Sequence, residues 1–447
     1  MWTVTYLLTD AGISDTLFPV AQVFCPKPAL SGGWSANNLP ILVRLPPTVK
    51  YTLKRYVTMP SSWHIQTQLL HAGDAHNPST AVASPIYQSA TFGFDAPADI
   101  AAAMVAQAHP QFYGRYATPN TAQVEATIAA LEQGEAAIAV ASGMAAISLV
   151  LLTFLQAGDH LVAQRTHYPT TAHLFQEMLP RLGIACTQVE QTDPAAFAAA
   201  VQSNTRLIYA ETPANPTLAL TDLAAVASLA RAHNLLAVAD NTFATPYNQR
   251  PLAMGIDLVL HSATKYLAGH SDVVAGVVVG SQAHVARLWR QHVLLGAVLH
   301  PFEAWLLERG LKTFNLRMAQ HNANGQAIAE FLTSHPAVRE VYYPGLPTHP
   351  QHDLAQRQMT GFAGMVCFDL HGGLAAGYRL LSRLQLIRLA VSLGGVHSLI
   401  THPASTISSV QTEDQIAASG VMPGLVRLSV GLEDVRDLIA DLSQALS

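Results

Sequence analysis

The amino-acid sequence predicts an α/β fold in which a mostly parallel sheet carries helices on both faces, followed by a smaller C-terminal α/β domain. Helical and strand patterns alternate from about residue 121 onward, as in proteins built from β-α-β units. Several predicted strands are continuously apolar, which is typical of strands buried on both faces of a sheet. The predicted strands cover residues 160–164, 206–211, 235–240, 258–262 and 273–279.

The segment from Ala136 to Leu155 is the first of these alternating units. It contains no charged residue and has the length of a membrane span. A short apolar run, a turn at Ser142-Gly143 and a helix from Met144 to Phe154 instead predict a buried strand, turn and helix. Further along, Thr221-Asp222-Leu223 is predicted to start a helix with a capping residue, and residues 224–233 carry its apolar stripe.

The pattern changes after Lys312. Longer helices are followed by strands near residues 364–370 and 425–430 and by a last helix over residues 435–446. A chain of 447 residues also exceeds the usual size of a single domain. We therefore predict an arm, a large domain and a C-terminal domain, over residues 59–120, 121–312 and 313–447.

The first 58 residues show neither a helical nor a strand period. A secretory signal begins with positive charge, but the first basic residue is Lys27. Because recognisable patterning begins at His64, we hypothesise that translation starts at Met59. An ordered extension with a role of its own is the alternative.

The composition excludes several partners. Lys and Arg total 24 against 29 Asp and Glu, a net charge of −5, and no run of like charge offers a surface for nucleic acid. Cys25, Cys186 and Cys367 are far apart and lack Cys-x-x-Cys spacing. This argues against disulfides and zinc and favours the reducing cytoplasm. We predict no metal site and no membrane partner.

The segment around Lys265 is the first candidate for chemistry. Ser262 and Thr264 lie two positions apart after a predicted buried strand, so in an extended backbone both hydroxyls face one side and the lysine faces the other. This arrangement suits a phosphate and an amine, and partial burial would favour the neutral, nucleophilic amine. A surface lysine at a strand end is the alternative.

Two further segments, one at a strand end and one at the start of a helix, are candidates for binding a charged group. Asp240 ends the strand of residues 235–239, where an unpaired buried carboxylate costs several kcal/mol or more. A protonated ring nitrogen would be a fitting partner, and a turn or cap aspartate is the alternative. Gly143 and Met144 open a helix, where backbone N–H groups and the helix dipole form an anion site.

Five segments together resemble one known family, the Cys/Met-metabolism (trans-sulfuration) enzymes that depend on pyridoxal phosphate. They are residues 142–146 (Ser-Gly-Met-Ala-Ala), 211–216 (Glu-Thr-Pro-Ala-Asn-Pro), 240–243 (Asp-Asn-Thr-Phe), 261–266 (His-Ser-Ala-Thr-Lys-Tyr) and 425–433 (Leu-Val-Arg-Leu-Ser-Val-Gly-Leu-Glu). Several motifs in one order are far more specific than any one of them. The resemblance runs from about Thr67 to the C-terminus and implies pyridoxal 5′-phosphate as cofactor and the fold type I (aspartate aminotransferase-like) architecture.

The resemblance implies a role for each matching residue. Lys265 corresponds to the lysine that binds the cofactor as a Schiff base, and Asp240 to the partner of the pyridine nitrogen. Tyr168 corresponds to the tyrosine that stacks on the cofactor ring and transfers protons. The residues that correspond to the phosphate site are Gly143, Met144, Ser262 and Thr264.

Other matches imply substrate contacts and an assembly. Arg427 corresponds to the arginine that binds the substrate carboxylate, and Ser392 and Asn215 to positions around substrate and cofactor. Tyr113 and Arg115 correspond to a pair that reaches the phosphate of the neighbouring subunit. The implied assembly is a homotetramer of two active-site dimers.

The segment around Ser392 bears on the choice of substrate. Enzymes of this family that act on cystathionine usually carry Glu at the position of Val391, and an apolar residue there fits a substrate without a distal charge. The segment most resembles methionine γ-lyases, which implies loss of the γ-thiol of L-methionine or a related sulfur amino acid. Departures from those enzymes occur at Pro169, Thr170, His397 and residues 406–408.

Several alternatives remain open at this point. Within the family they are γ-replacement on an O-acylated homoserine and the cystathionine γ-synthase and γ-lyase reactions; a regulatory relative without activity is the non-enzyme alternative. A nicotinamide dehydrogenase would need a Gly-x-Gly-x-x-Gly after the first strand, which is lacking. His349 and His352 lack the order of a zinc hydrolase motif.

Overall fold

The computed structural model describes residues 63–407 and 422–447. The predictions about residues 1–58, the start at Met59 and Cys25 lie outside these residues. Two sheets organise the described chain. One is large and mostly parallel, and the other is small and mostly antiparallel.

The large sheet has seven strands in the order β1-β7-β6-β5-β4-β2-β3. Strands β2 to β6 pair in parallel with their neighbours, whereas β7 runs antiparallel to both β6 and β1. The strands are β1 Ala136–Val140, β2 His160–Gln164, β3 Ala185–Val189, β4 Thr205–Glu211, β5 Leu236–Asp240, β6 Leu258–Ser262 and β7 Gly276–Gly280.

Helices cover both faces of this sheet, as predicted. Leu207 and Val238 pack in the same core cluster as Leu149 of the helix after β1, while their neighbours Ile208 and Ala237 pack on the opposite face. The helices in this part of the chain are α1 Ile65–His71, α2 Pro97–Val105, α3 Pro119–Glu132, α4 Gly143–Phe154, α5 Pro169–His173, α6 Leu179–Arg181, α7 Pro194–Ala199, α8 Leu223–Ala232, α9 Thr245–Asn248, α10 Gln282–Leu295 and α11 Pro301–Leu311. Shorter helical turns cover Asp74–His76, Leu174–Met178 and Pro251–Met254.

The small sheet has five strands in the order β10-β11-β12-β9-β8. They are β8 Val338–Tyr342, β9 Met365–Leu370, β10 Arg388–Leu389, β11 Leu399–Thr401 and β12 Leu425–Ser429. The accompanying helices are α12 Phe314–Thr333, α13 His352–Gln358, α14 Gly373–Arg383, α15 Pro403–Ile407 and α16 Val435–Leu446. The last helix matches its predicted bounds.

The apolar segment after residue 135 forms the predicted strand and helix, β1 and α4. Ser142 caps α4 by accepting the N–H of Ala145 at 3.0 Å, and Asp222 caps α8 by accepting that of Ala225 at 2.9 Å. In the part of the chain that the structure describes, no helix combines the length and hydropathy that a membrane crossing requires.

One predicted strand begins too early. We predicted residues 273–279, but β7 starts at Gly276. The backbone N–H of Ala275 donates to the Thr264 hydroxyl at 3.0 Å, and its carbonyl accepts the Thr264 N–H at 3.2 Å. The chain before Gly276 is therefore bound to the turn after β6 rather than to a strand.

Candidate active site

A cavity of about 470 Å³ opens at the carboxyl ends of the parallel strands, the position expected for a ligand in this architecture. All but two of the site residues that we predicted line it, namely Gly143, Met144, Tyr168, Asn215, Asp240, Ser262, Thr264, Lys265, Ser392 and Arg427. The two sheets contribute differently. The large sheet and its loops supply the residues up to Lys265, and the small sheet with its loops supplies Val391, Ser392, Thr401 and Arg427.

Lys265 lies in the turn that follows β6. Its ammonium or amine Nζ donates to the Ser392 hydroxyl at 2.8 Å. Burial, reinforced by the positive charge of Arg427, lowers the pKa of Lys265 from 10.5 to about 8. A substantial fraction of the amine is therefore neutral near physiological pH, as a nucleophilic lysine requires.

The backbone around Lys265 differs from our prediction. We expected an extended segment with Ser262 and Thr264 on one side and Lys265 on the other. The strand ends at Ser262 and residues 263–268 form a turn, in which the Lys265 N–H donates to the Ser262 carbonyl at 3.2 Å. Because the chain turns, all three side chains reach the same cavity.

Asp240, the last residue of β5, is held by Thr242. The carboxylate oxygen Oδ1 accepts both the N–H of Thr242, at 2.9 Å, and its hydroxyl. The same hydroxyl accepts the N–H of Ser262 at 2.8 Å and so links the ends of β5 and β6. Burial raises the pKa of Asp240. A cation bound beside this carboxylate would favour its ionised form and so counteract the rise in pKa that burial causes.

Glu211 is a second buried carboxyl in the cavity. It ends β4 and lies in register with Asp240 on the adjacent parallel strand. Burial, together with the negative charge of Asp240, raises the pKa of Glu211 well above its ordinary value. Neither Glu211 nor Thr242 is among the site residues predicted from the sequence, where both occur only within the family motifs. The signal that identifies Glu211 is the pairing of strand ends, which needs the sheet order.

The start of α4 also lines the cavity. A Cβ atom on Gly143 would lie 2.8 Å from Cβ and 2.9 Å from Oγ of Ser262, so the helix approaches β6 as closely as a glycine allows. The first N–H groups of a helix have no partner within the helix and attract anions. The Thr264 hydroxyl, in contrast, is engaged by both the N–H and the carbonyl of Ala275.

Tyr168 and Arg427 also line the cavity. Tyr168 precedes α5 and its side chain is 45% exposed. Arg427, on β12, donates from Nη1 to Asn215 Oδ1 and from Nη2 to the Ser392 carbonyl, each at 3.1 Å. Ser392 adopts the left-handed backbone conformation with φ +83°, which costs a non-glycine residue about 1 kcal/mol or more. These bonds fix the guanidinium of Arg427 in the same cavity as Lys265.

Tyr113 and Arg115 are the two predicted residues that do not line this cavity. Arg115 donates from Nη1 to the Val293 carbonyl at 2.6 Å, and its guanidinium lies 5.5 Å from the ring centre of Tyr113 and 5.1 Å from that of Tyr116. Their role toward a neighbouring subunit stays a prediction. Among the described residues, no group of His, Cys, Asp and Glu side chains is arranged to hold a metal ion.

Comparison with known proteins gives a consistent result. The sequence profile of the family described as "Cys/Met metabolism PLP-dependent enzyme" matches residues 66–447. An L-methionine gamma-lyase of Fusobacterium nucleatum is 48% identical over 383 residues, covering 85% of this chain and 97% of the relative. A cystathionine beta-lyase of Coxiella burnetii is 42% identical over 387 residues, covering 86% and 98%. The crystal structure of a cystathionine gamma-lyase of Lactobacillus plantarum, complexed with L-serine, superposes with a TM-score of 0.80 at 42% identity, covering 86% of this chain and 98% of that one.

Proposed function

The chain belongs to the Cys/Met metabolism PLP-dependent enzymes, and from this premise we propose that it removes the γ-thiol of L-methionine or a related sulfur amino acid. With methionine and water as reactants, the products are methanethiol, 2-oxobutyrate and ammonia. The broader activity, a pyridoxal phosphate-dependent enzyme of trans-sulfuration type, follows from the family and its relatives.

The residues of the cavity fit pyridoxal 5′-phosphate. Gly143 lacks the Cβ that would fill the space beside Ser262, which leaves room for a phosphate at the start of α4. Asp240 offers a buried carboxylate to a protonated ring nitrogen, and Lys265 offers an amine of lowered pKa. When bound there, the cofactor supplies an electron sink that stabilises negative charge next to the substrate Cα.

The observation that carries the choice of substrate is the placement of charge in the cavity. Among the described residues that line it, the charged side chains are Lys265, Arg427, Asp240 and Glu211. The two carboxyls lie together at the strand ends, so Arg427 is the group suited to a substrate carboxylate. Val391, 77% exposed at the rim, adds apolar surface where a distal charge would otherwise be recognised. A substrate with one carboxylate and an apolar thioether matches this arrangement.

The side chains divide the proton transfers. Lys265 Nζ, held 2.8 Å from Ser392 Oγ, takes the proton from the substrate Cα. A proton must also leave the substrate Cβ before the bond between Cγ and sulfur breaks. The Tyr168 hydroxyl gives a proton to the departing thiolate sulfur. Arg427 holds the substrate carboxylate with its planar fork and thereby aligns the Cα proton with Lys265.

Product analysis tests this proposal directly. The purified enzyme is incubated with L-methionine, L-homocysteine, L-cystathionine or L-cysteine, and thiol and 2-oxo acid are measured against a Lys265→Ala control. We expect methanethiol and 2-oxobutyrate in equal amounts from methionine and none from the control. Absence of thiol and 2-oxo acid with all four substrates would refute the lyase proposal.

Thr170 supports a second candidate, γ-replacement on an O-acylated homoserine. It lies in α5, two residues after Tyr168, where the resemblance to methionine γ-lyases implies a cysteine. The same enzyme preparation is given O-acetylhomoserine and sulfide, and formation of homocysteine without activity on methionine would identify this reaction instead.

The assembly and location also belong to the proposal. The separation of Tyr113 and Arg115 from the cavity of their own chain supports a site completed by a second chain, in a homotetramer of active-site dimers. We propose a cytoplasmic enzyme with domains over residues 121–312 and 313–447. Light scattering of the purified protein tests the assembly, since a monomer would contradict a shared site.

A further inference from the structure

Glu211 makes two backbone contacts that the proposed chemistry does not use. It is 4% exposed, and each of its carboxylate oxygens accepts a different N–H group. Oε2 accepts the N–H of Tyr168 at 2.8 Å, and Oε1 accepts the N–H of Asn215 at 3.2 Å. One buried side chain therefore binds the two loops on either side of the cavity.

Asn215 extends this contact to the substrate groups. Its side-chain oxygen accepts Arg427 Nη1 at 3.1 Å, and Arg427 Nη2 donates to the Ser392 carbonyl at 3.1 Å. The Ser392 hydroxyl in turn accepts Lys265 Nζ at 2.8 Å. A continuous series of hydrogen bonds thus joins the carboxylate of Glu211 to the carboxylate-binding arginine and to the lysine.

Gln164, the last residue of the adjacent strand β2, binds both the backbone N–H and the backbone carbonyl of Glu211. Gln164 Oε1 accepts the Glu211 N–H at 2.8 Å, and Gln164 Nε2 donates to the Glu211 carbonyl at 2.8 Å. The Thr221 hydroxyl donates to the same Gln164 Oε1 at 3.0 Å, and Gln164 is fully buried. A side chain anchored in this way can set the positions of the groups it binds.

We propose that Glu211 is a positioning residue that fixes Arg427 through Asn215, and Tyr168 through its backbone, at the distances the reaction needs. The proposal rests on the proposed function for the roles of Arg427 and Tyr168. Neutral Gln has the same shape as Glu but offers one acceptor oxygen in place of two, so Glu211→Gln keeps one of the two N–H bonds and loses the other.

Binding of L-norleucine tests the contact from Glu211 through Asn215 to Arg427 without requiring a leaving thiol. Norleucine replaces the methionine sulfur by a methylene, so it engages the amine and carboxylate sites but cannot undergo the elimination. Its dissociation constant is measured on the holoenzyme from the change in the visible absorbance band of the bound cofactor. The matched control is Glu190→Gln, since Glu190 is a glutamate directly after β3, a strand of the same sheet that does not adjoin β4, and its side chain is 46% exposed.

We expect Glu211→Gln to weaken norleucine binding by up to about tenfold, the upper range for the loss of one buried hydrogen bond, with Glu190→Gln unchanged. In an Asn215→Ala background, which removes the acceptor for Arg427, Glu211→Gln should add less than about twofold, because both changes act on one path. An equal loss in both backgrounds, or none in the native background, would overturn the proposal.

The contact from Glu211 to the backbone of Tyr168 is tested by measuring the turnover rate. With whichever sulfur amino acid the enzyme consumes, Glu211→Gln should lower kcat in the native background and leave it nearly unchanged in a Tyr168→Phe background. If Glu211→Gln fails to bind the cofactor, Glu211→Asp, which keeps the charge at shorter reach, is measured in its place with the same expectations. If the native enzyme releases no thiol, only the proposed function is refuted. The norleucine titration still tests the role of Glu211, because it does not require release of a thiol.

Discussion

Substitution of Gly143 by alanine probes the contact between α4 and β6. The added Cβ would lie 2.8 Å from Cβ, 2.9 Å from Oγ and 3.0 Å from Cα of Ser262. Non-bonded carbon atoms prefer about 3.5–4.0 Å, and both segments are held by regular hydrogen bonding, so one must move. Overpacking of this kind costs about 1–3 kcal/mol.

This strain falls on the place where the cofactor phosphate is proposed to bind. If the cofactor-free protein relieves it by shifting the start of α4 and the bound state cannot, cofactor affinity falls by roughly 5- to 150-fold, since about 1.4 kcal/mol corresponds to tenfold. Affinity is measured by titrating the cofactor-free protein with pyridoxal phosphate and following the visible absorbance band.

Gly93→Ala is the matched control, because a Cβ on Gly93 meets nothing within 4 Å. A second variant, Gly143→Ala with Ser262→Gly, removes the two closest atoms and should recover the thermal stability lost in Gly143→Ala. Cofactor affinity of Gly143→Ala equal to that of Gly93→Ala would refute the reasoning.

Three further predictions concern Lys265 and the substrate side of the cavity. The pKa of Lys265 is lowered to about 8, and only the neutral amine reacts with the cofactor. The rate at which the cofactor-free protein takes up cofactor should therefore rise with pH and level off above about pH 8. A rate that still rises at the ordinary lysine pKa of about 10.4 would contradict this. Arg427→Lys should raise KM on the order of tenfold or more with a smaller change in kcat, because a lysine cannot donate in a planar fork to Asn215 and to the substrate; steady-state kinetics with an unchanged KM would count against the assigned contact. Val391→Glu should lower the ratio of kcat/KM for methionine to that for cystathionine, since it places a charge at the rim, and an unchanged ratio would show that residue 391 does not select substrate.

The large sheet was predictable because its strands are buried on both faces. Leu207 and Ile208 are adjacent in sequence and face opposite cores, so the strand reads as an unbroken apolar run that no surface strand would tolerate. The early start predicted for β7 was wrong for a local reason. The apolar residues 273–275 look like strand, but Ala275 is bound to the side chain of Thr264 in the turn after β6.

The site was only partly predictable for a related reason. Lys265 and Asp240 could be predicted to lie in one cavity because each stands at the end of a recognisable strand. The predicted relation of Ser262 and Thr264 to Lys265 assumed an extended backbone, which turns instead. Glu211 and Thr242 act through contacts between neighbouring strand ends. Such contacts depend on strand order and register, which apolar patterning leaves undetermined.

The cavity takes its cofactor-facing residues from one sheet and its rim from the other, and this division bears on how such enzymes diversify. Mutations at Val391 alter the surface that we propose lies near a substrate side chain, while Asp240, Gly143 and the fold that carries them remain untouched. Selection can therefore act on the two sets of residues as separate heritable modules. Relatives with different substrates are then expected to differ around residue 391, and exchanging residues 388–407 between two of them would transfer substrate preference provided that the serine that binds Lys265 is kept.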